Sequence, residues 1–310
     1  MVSATTSRPL RKQRVRDRAA PPTLERPGVA WAVPGLLFFL VFAVAPMVGV
    51  LYLSFTHWDG LNPPQFTGTA NWSRFFGDSQ VWQSTTVTGL LLIGNIVVQA
   101  PVSILLGVWA AGHQRNRAIL SAVFFLPLLL STAATAIMWR QLLDPNFGLP
   151  AKFEWLFGSN PMGTQQGAIA CLVLVTTWQF VPFHSLLYQG AARSIPHTLY
   201  QAASIDGAGR VRQFVHITLP QLRNTMITST IFMVVGGLTA FDIVLLLTNG
   251  GPGTDTAILP FSMYQTAFRT YDYGYASAIA SFLLVLATAA SVILTKLSGY
   301  DKMTSTMEGL

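Results

Sequence analysis

Hydrophobic residues in this chain form long runs rather than the alternating or one-sided patterns of soluble domains. Six stretches are nearly free of Asp, Glu, Lys and Arg, and each is long enough for the ~20 residues that a membrane-spanning helix needs. They cover residues 29–55, 85–111, 118–139, 167–189, 224–248 and 274–295. A helix satisfies its own backbone hydrogen bonds in lipid, whereas barrel strands are ~10 residues long and alternate. The pattern therefore predicts an all-α bundle of six transmembrane helices.

Composition excludes a water-soluble globular protein. Of the 310 residues, 51% are hydrophobic and only 10% are charged, against about 25% charged in soluble domains. The mean hydropathy is +0.47. The first apolar run is longer than the 7 to 15 residues of a signal peptide, and this predicts an uncleaved first span.

The basic residues predict the orientation. The net charge is +7, but much of it comes from Arg and Lys directly before the first span, a pattern of membrane topology rather than of nucleic-acid binding. With the N-terminus in the cytoplasm, only Arg74, Arg140, Lys152 and Arg269 of the 19 basic residues lie outside. Both termini are thus predicted to be cytoplasmic. Residues 1–27 are predicted to be a disordered basic tail that contacts anionic lipid, and residues 299–310 a cytoplasmic tail.

The motifs of nucleotide, metal and hydrolase chemistry are missing. No Gly-Lys dipeptide occurs, so a phosphate-binding P-loop cannot be built. The five histidines, His57, His113, His184, His197 and His216, include no pair at the spacing of a zinc-binding helix. Cys171 is the single cysteine. No cofactor, no metal and no enzymatic activity are therefore predicted for this chain.

The segment between the fourth and fifth spans, residues 190–222, is too long for a bare turn and too polar to insert into a membrane. Ser194 and Pro196 predict a helix start, with the serine as a cap. Asp206-Gly207 predicts a break, because glycine accepts the positive φ that ends helices. A second helix is predicted at about 210–218, ending at Leu219-Pro220.

This segment resembles the Glu-Ala-Ala loop of permease subunits in binding-protein-dependent ABC importers. Residues of the matching pattern are Gln201, Ala202, Ala203, Asp206, Gly207, Ala208, Phe214, Ile217, Leu219 and Pro220. The resemblance implies a coupling helix that docks into a cleft of an ATP-binding subunit, with ATP and Mg held by that partner. One position departs from the pattern: Gln201 replaces the usual glutamate, so any ion pair there becomes a weaker neutral hydrogen bond.

A second resemblance follows the predicted fifth span. Phe241-Asp242 precedes Leu247-Thr248-Asn249-Gly250-Gly251-Pro252-Gly253, which is similar to the pattern of one of the two permeases in carbohydrate importers of the maltose and glycerol-phosphate type. The resemblance implies a second homologous permease, two ATP-binding subunits, an extracytoplasmic solute-binding protein and a sugar substrate.

Polar residues inside the spans admit two interpretations. Asn95, Gln99 and Gln179 are typical of a polar seam between helices. Alternatively they form a sugar site, together with aromatic side chains such as Trp178 and Phe241. Asp242, the one carboxylate inside a predicted span, either faces a cavity or the permease interface or caps the Gly250-Gly251 loop.

The sequence therefore predicts a sugar-transporting ABC permease in the cytoplasmic membrane of a bacterium. An ion-coupled secondary carrier is the first alternative, but it predicts several intramembrane charges and an inverted repeat. An ABC permease for polyamines or phosphate is the second alternative, and a membrane enzyme the third.

Overall fold

The computed structural model describes residues 29–112 and 123–297. The predicted tails, 1–27 and 299–310, lie outside these ranges, as do residues 118–122 of the predicted third span. The chain divides into two compact units, Met1–Met47 and Val48–Leu310. The division falls within the first long helix, and the packing described below belongs to the second unit.

Four predicted spans correspond to single long helices. They are α1 (Val33–Leu53), which includes a π-helical turn, α3 (Ser79–Ala110), α7 (Gln165–Arg193) and α14 (Tyr273–Leu297). Each is long and apolar enough to cross a membrane. A short 3-10 turn, Val29–Ala32, precedes α1.

The predicted third span is not one helix. A 3-10 turn at Leu126–Leu129 is followed by extended backbone at Leu130 and Ser131, and α4 begins only at Thr132 and ends at Leu142. The Ser131 hydroxyl caps α4 by accepting the backbone N–H of Ala134. The prediction of one continuous helix is wrong here. Ser131 lies inside an apolar run, so the hydropathy pattern does not show that it begins a new helix.

The predicted fifth span is bent. Helices α11 (Arg223–Leu238) and α12 (Phe241–Thr248) meet at an angle of 49°. Gly236 and Gly237 weaken the helix just before the bend. The Thr239 hydroxyl donates to the carbonyls of Val235 and Gly236, at 3.0 and 3.3 Å, and so completes the end of α11.

Several short elements were not predicted. A two-residue antiparallel pair, β1 (Thr56–His57) and β2 (Gln65–Phe66), is a small exception to the all-α class. The additional helices are α2 (Ala70–Gly77), α5 (Leu149–Lys152), α6 (Glu154–Phe157), and α13 (Leu259–Phe268). The segment predicted as a coupling loop contains α8 (His197–Ile205), α9 (Arg210–Gln213), a π-helical turn (Phe214–Thr218) and α10 (Leu219–Gln221).

Polar contacts hold the hairpin against α2 and α14. The amide of Asn71 donates to the carbonyls of Ser54 and Thr56, and the backbone N–H of Tyr273 donates to the carbonyl of Trp58. At Gly274, a Cβ atom would lie 2.0 Å from the Thr56 carbonyl oxygen. The hairpin thus requires a residue without a side chain at this position.

We expect Gly274→Ala to displace the hairpin from α14, because the added methyl meets backbone rather than a movable side chain. Overpacking of this kind costs about 1–3 kcal/mol. Limited proteolysis of the purified protein should show faster cleavage between residues 56 and 66. Gly77→Ala is the control, since nothing lies within 4 Å of its Cβ position. Equal cleavage rates in the two variants would contradict the prediction.

Helices α3 and α7 form the most extensive contact in the second unit. A Cβ atom at Gly107 would lie 2.6 Å from the Tyr188 Cβ and 2.7 Å from the Ser185 carbonyl oxygen. Likewise, a Cβ atom at Gly94 would lie 2.9 Å from the Val173 Cγ2 atom. Small residues allow such close packing of membrane helices. The pairs also run in the same order along both helices, so α3 and α7 are parallel.

Candidate functional site

The segment between α7 and α11 folds as two short helices with a turn between them. Ser194 does not cap the first of these helices, contrary to the prediction: its hydroxyl donates to the Ala191 carbonyl at 2.7 Å and so closes the end of α7. Pro196 occupies the residue before α8 rather than its first turn. The cause is that α7 runs on to Arg193, four residues beyond the predicted end of the span.

The predicted turn after Ile205 is present. Gly207 has a φ of +77°, a conformation that costs residues with a Cβ roughly 1 kcal/mol. The N–H of Ala208 donates to the Ala203 carbonyl at 2.8 Å, and the N–H of Gly207 donates to the Ser204 carbonyl at 3.1 Å. The last turn of α8 therefore has its carbonyl groups satisfied.

Leu219-Pro220 does not end the second helix, contrary to the prediction. The π-helical turn at Phe214–Thr218 leads directly into α10, whose first turn contains Pro220. The N–H of Leu219 donates to the Phe214 carbonyl, which is the wider spacing of a π-helix. Proline is tolerated because it lies at the start of a new helical segment.

Three side-chain hydrogen bonds hold the short helices together. The Tyr200 and Thr218 hydroxyls lie 2.9 Å apart. The Gln213 amide donates to the Ser204 hydroxyl at 3.0 Å and to the Ala208 carbonyl at 2.9 Å. On the inner side, Phe214 and Leu219 pack against a buried cluster of Ile104, Tyr188 and Leu222. The segment is thus attached to α3, α7 and α11 as one body.

The other side of this segment is open. Among the residues with the predicted pattern, Gln201, Ala202, Asp206, Gly207 and Pro220 are exposed, and Ala203, Ala208, Phe214, Ile217 and Leu219 are partly buried. Two aliphatic side chains that were not predicted as site residues are the most exposed: Ile205 is 87% and Val211 78% exposed. Arg210 and Arg212 flank Val211, and both are exposed. We call this exposed set, from Gln201 to Arg212, the loop face.

A cavity of about 500 Å³ lies between α3, α4, α7, α11 and α12. Its lining is mostly apolar and aromatic, and contains a few polar groups. The lining residues include Asn95, Gln99, Thr176, Phe180, Phe183, His184, Phe232, Phe241 and Asp242. Four residues predicted from sequence, Asn95, Gln99, Phe241 and Asp242, therefore meet in one cavity.

The predicted polar residues also join helices. The Thr176 hydroxyl of α7 lies 2.7 Å from Asn95 Oδ1 of α3, in a buried position. Gln99 is one turn further along α3 and only 4% exposed. The predicted seam and the predicted cavity are therefore one surface, since Asn95 belongs to both.

Trp178 and Gln179 lie elsewhere. Trp178 lines a separate apolar groove of about 830 Å³ together with Pro127 and Leu130, and its ring contacts Trp139 at 5.6 Å. The Gln179 amide donates to the Leu130 carbonyl at 3.2 Å. This carbonyl has no helical partner because the chain is extended there. Gln179 thus ties α7 to the break before α4 and does not line the cavity.

Asp242 lies in the first turn of α12, where a carboxylate is favourable for the helix dipole. It is exposed at the cavity and has no hydrogen-bond or ion-pair partner among the described residues. Its position does not allow it to cap the Gly250-Gly251 loop, which follows the far end of α12. Phe241 packs on Tyr264 of α13 at 5.0 Å.

The loop at Asn249–Gly253 is ordered by its own contacts. Asn249, Gly250 and Gly253 have φ values of 50°, 80° and 59°. The buried Thr256 hydroxyl donates to the Gly251 carbonyl at 2.7 Å and to the Thr248 hydroxyl at 2.9 Å. The Gln165 amide, at the start of α7, donates to the Asp255 carbonyl. The loop therefore fixes the C-terminal end of α12 against α7.

Comparison with known proteins identifies the family. Residues 103–298 match the family described as "binding-protein-dependent transport system inner membrane component". This chain belongs to that family. The permease is 33% identical to a probable ABC transporter permease protein of Pyrococcus horikoshii, over 84% of this chain and 91% of the relative. It is 31% identical to the multiple sugar-binding transport system permease protein MsmF of Streptococcus mutans, over 87% and 94%.

Other relatives agree with this assignment. The permease is 30% identical to the trehalose/maltose transport system permease protein MalF of Thermococcus litoralis, over 89% of this chain and 94% of that protein. Its fold matches a chain in the crystal structure of a bacterial ABC transporter for import of the acidic polysaccharide alginate. The TM-score is 0.77 at 22% identity, over 88% and 95% of the two chains. The permease is thus a multi-pass membrane component of a transporter and not an enzyme.

Sequence reasoning missed part of the cavity of this permease. The lining residues Phe183, His184 and Phe232 were not predicted as site residues. His184 of α7 also forms a buried hydrogen bond of 2.9 Å with Ser229 of α11, which was not predicted either. A histidine inside an apolar run was the one available signal, since an unpartnered imidazole is costly there. Among the described residues, no group of His, Cys, Asp and Glu could hold a metal ion.

Proposed function

We propose that this permease translocates a sugar or oligosaccharide in an ATP-driven importer of a bacterial cytoplasmic membrane. The substrate is delivered by an extracytoplasmic binding protein. Three relatives support the sugar class: MsmF, MalF, and the diacetylchitobiose uptake permease NgcF of Streptomyces coelicolor. The carbohydrate pattern at Phe241-Asp242 and Leu247–Gly253 supports the same class.

One observation carries the proposal: the helices that line the cavity are the helices that hold the loop face. Helix α7 lines the cavity with Phe180 and His184 and ends where the loop segment begins. Helix α11 begins where that segment ends and lines the cavity with Phe232. A displacement of the loop segment therefore moves two walls of the cavity.

The loop face is suited to docking of a partner subunit that hydrolyses ATP. Its apolar side chains, Ile205 and Val211, favour docking into a cleft of an ATP-binding subunit, and Ala202 allows a close approach of the two backbones. Gln201 contributes a neutral hydrogen bond there instead of an ion pair. ATP and Mg belong to two such subunits, because the sequence contains no phosphate-binding loop.

A second, homologous permease completes the pathway on this proposal. The cavity is bounded by one chain on the sides described above, and the exposed carboxylate of Asp242 requires water, substrate or a polar partner. A second permease that packs against the open side of the cavity would close it and could supply this polar partner. The released sugar then binds between the two chains.

The membrane topology of this proposal has six spans with both termini in the cytoplasm. The third span includes the 3-10 turn at Leu126–Leu129 and α4, and the fifth span consists of α11 and α12. The distribution of Lys and Arg supports this orientation. It places the loop face and the basic tail of residues 1–27 on the cytoplasmic side, and the Gly250-Gly251 loop on the outer side.

Reconstitution of the complete transporter tests the proposal. The permease is co-expressed with its genomic partner permease, ATP-binding subunit and binding protein, and ATP hydrolysis is measured with maltose, trehalose or diacetylchitobiose. We expect one sugar to stimulate hydrolysis. Spermidine and phosphate are added in the same assay as alternative substrates, and uptake of each sugar is also measured with a proton gradient and no ATP. Stimulation of hydrolysis by spermidine or phosphate alone, or sugar uptake driven by the proton gradient alone, would overturn the assignment to ATP-driven sugar uptake.

We expect Gly207→Trp to abolish the sugar-stimulated hydrolysis while the two permeases still assemble. The indole would occupy the loop face, and the φ of +77° would be strained by any Cβ. Gly209→Ala is the control because φ is −68° there and nothing lies within 4 Å of its Cβ position. Full stimulation in Gly207→Trp would exclude coupling through this turn.

A further inference from the structure

His184 is a polar residue buried inside an apolar membrane helix. It is 4% exposed and lines the central cavity. Its Nδ1 atom lies 2.9 Å from the Ser229 hydroxyl of α11. Ser229 is itself fully buried. The contact joins α7 to α11 and orients the imidazole ring, and either ring tautomer can make it.

The second ring nitrogen of His184, Nε2, is not fully enclosed by the protein. Among the described residues, Nε2 has no hydrogen-bond partner. Since His184 lines the cavity, the accessible surface of Nε2 is cavity surface. A nearly buried nitrogen without a partner costs free energy unless water or a ligand satisfies it.

Gln99 on α3 is also nearly buried and has no hydrogen-bond partner among the described residues. It is 4% exposed and lines the same cavity. Neither amide atom is fully enclosed, whereas the side-chain oxygens of Gln179, Ser103 and Ser185 are enclosed and unpaired. The unsatisfied groups of His184 and Gln99 are thus open to a ligand, and those of the other three residues are not.

Aromatic rings form the rest of this part of the cavity. Phe183 contacts Phe232 at 5.7 Å in an edge-to-face arrangement, and Phe180 lies one turn earlier on α7. His184 is eight residues beyond Thr176, or about 12 Å along the helix. It therefore lies towards the loop segment, away from the Asn95–Thr176 contact. Asp242 is the one carboxylate among the lining residues, which include no Lys or Arg.

We propose that His184 and Gln99 form a hydrogen-bonding subsite for the hydroxyl groups of a neutral sugar ring in the part of the cavity nearest the loop segment. The Phe183 and Phe232 rings provide the apolar surface on which the C–H face of such a ring packs. Ser229 is a positioning residue, since it contacts His184 and not the sugar. This inference rests on the proposed function and adds the residues that discriminate between sugars.

Monodeoxy analogues test the subsite. Uptake is measured in proteoliposomes of the complete transporter, with the sugar among maltose, trehalose and diacetylchitobiose that the wild type transports, and with each of its monodeoxy analogues. The binding protein is the same in all preparations, so a change in discrimination arises in the permease. Wild type should prefer the parent sugar to one analogue by about 10-fold, the value of one good neutral hydrogen bond.

Relative to wild type, His184→Leu should reduce the preference over one analogue by about 10-fold, because the deleted hydroxyl and the deleted imidazole are partners and their effects are not additive. Gln99→Leu should do the same for a different hydroxyl. His184→Gln should restore part of the preference, and Ser229→Ala should weaken it less than His184→Leu. Ser103→Ala is the control, since this buried serine does not line the cavity.

The outcomes separate the two proposals. If the wild type transports none of the sugars, the proposed function fails. If it transports one and both leucine variants discriminate between analogues as the wild type does, the subsite is wrong. Should His184→Leu not assemble, Gln99→Leu decides the question, because Gln99 lies on a different helix of the cavity wall and leucine conserves the size of the amide side chain.

Discussion

Replacement of Ile205 and Val211 by aspartate should abolish co-purification of the ATP-binding subunit with this permease. These side chains are 87% and 78% exposed on the loop face. Full burial of an aliphatic side chain contributes about 1.5–3 kcal/mol. Loss of two such contacts predicts a decrease in affinity of at least about 100-fold, since each 1.4 kcal/mol is a factor of ten. A carboxylate placed in an apolar cleft would decrease it further.

The effect should be restricted to the loop face. Leu61, in the loop between β1 and β2, is 92% exposed and provides a matched aliphatic position. Leu61→Asp should leave the amount of co-purified ATP-binding subunit unchanged, while the permease pair should assemble in all variants. Affinity purification followed by quantitative gel analysis measures both. If Leu61→Asp has the same effect as the loop variants, or if the loop variants retain the ATP-binding subunit, then the loop face is not the docking surface.

The second large effect is expected at Gly107, where α3 and α7 are in closest contact. A valine there would bring its Cβ to 2.6 Å from the Tyr188 Cβ and 2.7 Å from a backbone oxygen. Because the obstacle includes backbone, the helices must separate, at a cost of about 1–3 kcal/mol or more. Separation also displaces Gln99 and His184, so we expect both a lower thermal midpoint and loss of transport.

Gly89→Val is the matched control for this prediction. Gly89 lies on the same helix, five turns earlier, and nothing lies within 4 Å of its Cβ position. The thermal midpoint of the detergent-solubilised protein, measured by size-exclusion chromatography after heating, distinguishes the two variants. Equal midpoints and equal transport rates would show that the α3–α7 contact tolerates a side chain at Gly107.

The segment between α7 and α11 shows how far local sequence reasoning extends. The turn at Gly207 was predicted because glycine next to Asp206 is a local signal for a positive φ. The roles of Ser194 and Pro220 were mispredicted for one reason: both depend on where the adjoining helix ends. Helix α7 runs to Arg193 and α10 follows a π-helical turn, and neither boundary is encoded by a single residue.

The cavity illustrates the opposite case. Asn95, Gln99 and Asp242 were recognised because amide and carboxylate groups are conspicuous in apolar runs. Trp178 and Gln179 are also conspicuous in an apolar run, but Trp178 lines the separate groove and Gln179 donates to the Leu130 carbonyl at the break before α4. The direction of a side chain around a helix depends on which neighbours the helix acquires, so composition alone could not separate these two groups.

The sequence by itself determined the family, the helical membrane class and the approximate positions of most spans, because long apolar runs and turn residues act locally. The tertiary structure decided where the third and fifth predicted spans break and which polar residues share the cavity. It also decided that two of the helices that line the cavity, α7 and α11, hold the loop face. These features depend on contacts between residues distant in the chain, such as Gln179 with Leu130 and His184 with Ser229. Such contacts form only when the helices pack, and no local pattern records them.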